Sequence, residues 1–398
     1  MSAMTRGTIG NRPTDRLVFM SEIGQRARHL LSSLTPPRTQ AELAAQVSMT
    51  PDALSRSLSG QRGWAITELV AVAGALGTST HWLATGEADP FPVRVAARHG
   101  YDHDAKMHAS IDWQTARSVL DDVALAYEQV EASRATMSRT QSIAGLAPAT
   151  TRAALVRTGG PEFVRDLADV VAGTFDVDVV RVAGVTSGYS LIAGQQKIIV
   201  VSDTSNWFHQ NWSIAHELGH FSASSTQPLD APDANVTNHE IAANAYAAEL
   251  LLPEARLRQT DWGMVPLAEV GDLVWQSGVS TKSLLTRLRA LRIPLAPRLE
   301  AALTQSTQRF LRSHAPLVRA SERDEISVRM AEASTRRFPM SLLTAHRDAI
   351  EAGRLPASTL AWMLSDDPND IEAELVPQRD LMDEVAVDEL ASILGFTN

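Results

Sequence analysis

His216 and His220 stand four positions apart, with Glu217 beside the first, in the stretch WSIAHELGHFSASS. On an α-helix, positions i and i+4 lie on one face about one turn apart. Both imidazoles can therefore reach a single metal ion, a geometry built into any H-E-x-x-H helix. Glu217 points to the side of the pair, where it can reach a water on the metal without being a ligand. Ile214, Leu218 and Phe221 fall on the opposite face and would pack the helix onto a core. The plain alternative is a surface helix with two solvent-facing histidines, and the segment that follows argues against it.

A catalytic zinc takes three protein ligands and keeps one position for water. The 398-residue chain has no cysteine, so every ligand must be His, Asp or Glu. The segment TNHEIAANAYAAELLLP supplies Glu240, with 19 residues between it and His220. Glu240 opens an alanine-rich helix able to pack closely on the first. Asn244, one turn further along the same face, can hold a ligand histidine from behind. Thr237, Asn238, His239 and Glu240 also fit the capping box S/T-x-x-E, in which the glutamate merely bonds the cap backbone. His239 would then be the third ligand. Acyl-transfer chemistry also needs an oxyanion donor besides the metal. Tyr246, Tyr189 and His209 are candidates, and the sequence does not choose among them.

These residues need a scaffold. A length of 398 residues suggests two or three domains, and 44% hydrophobic with 21% charged residues reads as soluble and globular. No stretch approaches the roughly 18 apolar residues of a membrane span. The start MSAMTRGTIGNRPTDR lacks the apolar core of a secretory signal, so the expected location is cytoplasmic, with no membrane partner. Short helices are expected over 17–88, a linker over 89–110, and helices over 111–133 and 161–174, the last beginning at a Gly-Gly-Pro signal. DVVRVAG, YSLIAG and KIIVVSD form a small β patch ahead of the metal helix. Helices at about 211–223 and 238–252 follow, then an almost wholly helical stretch broken at Pro294, Pro339, Pro356 and Pro377. The fold class is mainly α with a small β-sheet (α+β).

AHELGH followed by HEIAANAYAAELLLP resembles the ImmA/IrrE family of zinc metallopeptidases, over about residues 160–290. The resemblance implies a zincin-like domain with Zn2+ on His216, His220 and Glu240, and Glu217 as the catalytic glutamate. It also implies a protein substrate, a small helix-turn-helix repressor, cut in bacteria under stress or carrying mobile elements. In such folds an edge strand can pair with an extended substrate segment. KIIVVSD, at Lys197–Val201, is the expected edge.

The net charge of −10 is unevenly placed. Residues 1–62 carry eight arginines against four acids, and residues 366–398 carry ten acids against one arginine. A basic head and an acidic, solvated or partner-facing tail follow. In the head, Leu43, Val47, Leu54, Leu58, Leu69, Val72 and Leu76 recur at helical spacing. Thr50 is a good N-cap before Pro51 and Asp52. TQAELA (Thr39–Ala44), LSRSLSG (Leu54–Gly60) and ALGTSTHWL resemble the Xre, lambda-repressor-like, helix-turn-helix family over about 18–88. One departure is Ser48, where the family's turn usually has glycine; the angle between the helices is expected to differ a little. The resemblance implies a double-stranded DNA operator as partner, bound as a homodimer. It makes Pro51–Leu58 the recognition helix, with Thr50 at its cap and Asp52, Ser55 and Arg56 toward bases. Gln40, Gln61 and Arg62 would lie toward phosphates or flanking bases.

The expected organisation is a helix-turn-helix domain over 1–88, a linker and connecting helix over 89–159, a zinc peptidase domain over 160–295, and a helical region with its acidic tail over 296–398. The segment AEVGDLVWQSGVSTKSLLTRLRALRI looks like a second helix-turn-helix, with Ser280 as cap and Arg287, Arg289 and Arg292 basic, and is expected to be a packing subdomain. The whole reads as a transcriptional regulator combining sequence-specific DNA binding with conditional endopeptidase activity. The alternatives are a non-enzymatic regulator whose peptidase-like fold serves as sensor or structural module, and a phage-type repressor or antitoxin. Fusion suggests that the head either delivers the peptidase to a promoter or is itself released by a cut in the linker, which could add to the edge at Lys197–Val201.

Overall fold

The computed structural model describes residues 13–33, 38–76, 78, 80–87, 94–96, 101–102, 107–108, 113–130, 141–224, 227–228 and 236–375. Most of the expected linker over 89–110, and the acidic tail beyond 375, lie outside the described residues. The chain divides into two compact units, 1–92 with 228–232, and 93–227 with 233–398.

Among the described residues the first unit holds five helices, Pro13–Ser33, Gln40–Gln46, Pro51–Leu58, Ile66–Leu76 and Thr80–Thr85. Leu43, Leu54, Leu58, Val72 and Leu76 meet Ile23, Ala27, Leu31 and Leu83 in its core, as the apolar spacing requires. Val47 and Leu69 are only partly buried against it. Gly24 lets the first helix touch the third, because a Cβ there would stand 2.0 Å from the Leu58 carbonyl oxygen. Thr50 caps the third helix by accepting from the Ala53 amide. Ser48 adopts φ 54°, the left-handed conformation that glycine takes at no steric cost. The turn is made with the strained residue rather than avoided.

The second unit is built on a small sheet. Its strands in chain order are β1 (Arg94–Ala96), β4 (Val177–Val182), β5 (Tyr189–Ala193), β6 (Gln196–Ser202) and β7 (Gln227–Pro228), while β2 (Tyr101–Asp102) and β3 (Met107–His108) pair separately. The sheet order is β4-β6-β5-β1-β7. β6 runs parallel to β4, from Val177↔Lys197 to Val182↔Ser202, and antiparallel to β5, from Tyr189↔Val200 to Ala193↔Gln196. KIIVVSD is therefore a middle strand and not the expected edge. Ile198, Ile199, Val200 and Val201 are all buried, which is why this β-branched run does not alternate. The side of β5 away from β6 carries β1, antiparallel, in the register Arg94↔Ile192, Val95↔Leu191 and Ala96↔Ser190.

The helix expected over 161–174 spans only Leu167–Thr174. The Gly-Gly-Pro signal ends a helix instead of starting one: Pro148–Gly159 precedes it, and Gly160 closes that helix at φ 75°. Beyond the helices that carry His216 and Glu240 the core continues without interruption. Ile143, Phe175, Leu218, Val274, Leu288, Leu303, Phe310 and Ala333 belong to one buried cluster. Ser280 caps Thr281–Ala290 as expected, accepting from the Ser283 amide. Arg287 is used internally, paired with Glu249 and donating to the Leu252 carbonyl at 3.3 Å. No helix among the described residues is long and apolar enough to cross a membrane.

Candidate metal centre

The helix Trp207–Ala223 begins at Asn206, whose side chain accepts from the His209 amide, and ends at Ser224 in the left-handed conformation. Asn211 and Gln210 tie it in place. Asn211 donates to the Gly278 carbonyl at 3.1 Å, and Gln210 Nε2 reaches the carbonyls of Ser202 and Thr204 at 2.7 and 3.0 Å. Ile214, Leu218 and Phe221 are buried at 2%, 0% and 3% exposure, on the core face the spacing assigned to them.

The second helix, Val236–Leu251, lies directly against it. Contact is close because Gly219 faces Ala243: a Cβ at Gly219 would meet Ala243 Cα at 3.0 Å and Tyr246 Cβ at 3.1 Å. Alanine on one helix and glycine on the other bring the two backbones near enough for a short carboxylate to bridge to both histidines. Glu240 Oε2 stands 3.1 Å from His216 Nε2, and Oε1 stands 3.3 Å from His220 Nε2. The two Nε2 atoms are 3.1 Å apart. Tetrahedral zinc with bonds of about 2.0–2.1 Å separates its ligand atoms by about 3.3 Å. The three separations fit that ion. These three residues are the group of potential metal ligands found among the described residues, and all are buried.

The capping-box alternative for Glu240 fails. The helix starts at Val236, before Thr237, so Glu240 lies inside it and its carboxylate is turned onto the histidines. His239 is outside the cluster. Asn244 lies where its spacing placed it, with Oδ1 3.1 Å from His216 Nδ1. An amide oxygen only accepts, so the contact suits the ring form with its proton on Nδ1, the form that leaves Nε2 able to take a metal. Burial works to raise the Glu240 carboxyl, but the hydrogen bonds and charge of His216 and His220 outweigh it and hold the group well below the usual carboxylate range. For His216, burial favours the neutral ring. Hydrogen bonding to Glu240, with the charges of Glu217 and Glu240, overcomes that and raises its pKa.

Glu217 is not part of this trio. Its side chain is 2% exposed and turns toward β5, where the Ser190 hydroxyl donates to Oε2 at 2.7 Å. Gly188 faces the other oxygen, and a Cβ there would come within 2.9 Å of Oε1. Sequence reasoning missed Ser190 and Gly188. Their partner is close only because β5 passes beside the metal helix, and nothing in their local spacing signals it. Tyr246 is bonded to Thr151 at 2.6 Å, which makes it a packing tie between helices. Tyr189 is buried in β5, next to Ser190 along the strand. Burial raises its hydroxyl pKa, Ser187 pulls it back, and the Glu217 charge adds to the rise. His209 sits on the exposed side of the first turn.

In the head, Gln40, Thr50, Asp52, Ser55, Arg56 and Gln61 are exposed. Arg56 lies 3.9 Å from Asp52 one turn earlier. Arg62 is committed internally: it forks onto Glu68 with two 2.7 Å contacts and donates to Ser57 Oγ at 3.0 Å.

Residues 172–289 match the family model of the IrrE N-terminal-like domain, Peptidase_M78. The matched span runs from within Leu167–Thr174 into Thr281–Ala290 and contains His216, Glu217, His220, Glu240 and Asn244. No match was found among curated proteins or among solved structures.

Proposed function

We propose that this chain is a zinc-dependent endopeptidase acting on a protein substrate, joined to a DNA-binding head as a transcriptional regulator. One observation carries the enzymatic part. Three ligand atoms converge at 3.1–3.3 Å, while a second buried acid, Glu217, is held apart from them by Ser190. A purely structural metal site is closed by four protein ligands and has no use for a separately braced carboxylate.

His216, His220 and Glu240 would hold the zinc, with Asn244 setting the His216 tautomer. Zinc bound there supplies Lewis acidity toward a peptide carbonyl and makes water acidic enough to attack at neutral pH. Ser190 occupies Glu217 Oε2 and so directs Oε1 past Gly188, whose missing side chain leaves room. Glu217 takes a proton from the attacking water as its oxygen adds to the carbonyl carbon. It returns that proton to the amine nitrogen as the C–N bond breaks.

Exposed Asp52, Ser55 and Arg56 on Pro51–Leu58 support an operator-reading head. The same proposal takes that head to bind as a homodimer and the protein substrate to be a helix-turn-helix repressor. The test is Glu217→Gln in the full chain. Zinc content should stay at about one ion per chain by elemental analysis, and cleavage of casein and of repressors encoded nearby should vanish, since an amide accepts no proton. Undiminished cleavage in that variant removes Glu217 as the base. A wild type that binds zinc and cuts nothing favours a non-enzymatic sensor.

A further inference from the structure

We propose that β1 occupies the edge at which this chain takes up an extended protein segment, so that the intact chain is self-blocked until β1 leaves. The peptidase reading supplies the purpose of that edge; the block itself is a matter of strand pairing. A sheet edge presents unpaired N–H and C=O groups that accept another extended chain, largely whatever its sequence. Without β1, and β7 that pairs beyond it, β5 would present that edge beside the Glu217 carboxylate. Ser190, within β5, donates to Glu217 Oε2, and Gly188, just before it, faces Oε1. The opposite edge, β4, is engaged at Arg181, which exchanges both backbone hydrogen bonds with Arg337 at 2.9 Å.

β1 takes the β5 edge antiparallel and ends at Ala96, directly opposite Ser190. Its pairing therefore stops level with the residue that braces Glu217, so an incoming segment and β1 compete for the same main-chain groups. The β1–β5 ladder is only three residues long, and with β7 paired on its other side β1 is held by two short ladders that a longer segment can displace.

The test uses the zinc-loaded full chain carrying Glu217→Gln, so that nothing is cut. A fluorescein-labelled peptide of residues 91–99 is added, and its anisotropy reads the edge. Alternate residues of a strand face a given partner, so Arg94→Pro with Ala96→Pro, or separately Val95→Pro, must remove ladder donors. At least one proline variant should bind the peptide about tenfold more tightly than its parent, as for an edge free about one-tenth of the time. Hydrogen exchange should rise at Tyr189–Ala193 and stay unchanged in the metal helices.

A second variant guards against misfolding. Arg94→Cys with Ile192→Cys joins directly opposed residues in a chain that has no other cysteine. Its oxidised form should lose peptide binding and regain it on reduction. Equal binding by parent, proline variants and oxidised chain overturns the proposal. With Glu217 restored, casein cleavage should rise about tenfold in the variants that gain peptide binding. If peptide binding rises and no variant cuts casein, the block stands and the peptidase reading fails. A metal-dependent cut just after Ala96 in the wild type overturns the block, because β1 would then be a substrate.

Discussion

The Ser190 hydroxyl lies 2.7 Å from Glu217 Oε2 and 3.1 Å from the Glu217 backbone carbonyl, so a β-strand residue sets the direction of an acid on the metal helix. Both side chains are essentially buried, at 0% and 2% exposure, and little water competes for the contact. Ser190→Ala should leave zinc content unchanged and lower the cleavage rate about 10–100-fold, the usual range for a group that orients a reacting one. The effect should fall on kcat with little change in KM. A variant with full kcat shows that Glu217 finds its position without Ser190.

On the proposed zinc site, Asn244 would act on the metal through His216. Asn244→Ala removes the acceptor at Nδ1, and zinc affinity should fall about 10–100-fold in a chelator competition. Asn244→Asp keeps an acceptor and should retain most of the affinity. If both variants bind zinc as the parent does, the 3.1 Å contact is incidental to the site.

Close approach of the two ligand helices depends on Gly219. Gly219→Val places a branched side chain where even a Cβ meets Ala243 Cα at 3.0 Å. Overpacking of this kind costs about 1–3 kcal/mol, and the separated helices should also bind zinc less tightly. Gly74→Ala is the contrast, because a Cβ there meets nothing within 4 Å. It should stabilise the head by about 0.8–1 kcal/mol through helix propensity alone. Chemical denaturation of the two variants reads both effects.

The Arg62–Glu68 pair predicts that these residues act together in the fold of the head. Arg62→Ala and Glu68→Gln should each lower its melting temperature, and the double variant should lower it no further than either alone. A pure phosphate contact at Arg62 would instead leave melting unchanged and reduce only the salt dependence of DNA binding. Arg56, exposed beside Asp52, is where a change in base preference is expected.

Local chemistry made much of the site legible in advance. Helical spacing alone puts His216 and His220 on one face and Ile214, Leu218 and Phe221 on the other, because the 3.6-residue repeat holds whatever the helix packs against. The same rule set Asn244 one turn from Glu240, and Thr50 capped its helix because capping is a contact over three residues. Where two local rules competed, tertiary structure decided. Glu240 satisfied both a capping box and a ligand position, and only the close packing at Gly219 and Ala243 brought it to the histidines. A β-branched run such as KIIVVSD identifies a strand but not its neighbours, because pairing order depends on chain segments far apart in sequence. That is why Lys197–Val201 lies in the middle of the sheet, why Ser190 braces Glu217 across 27 positions, and why Arg94–Ala96 reaches an edge nearly a hundred residues away.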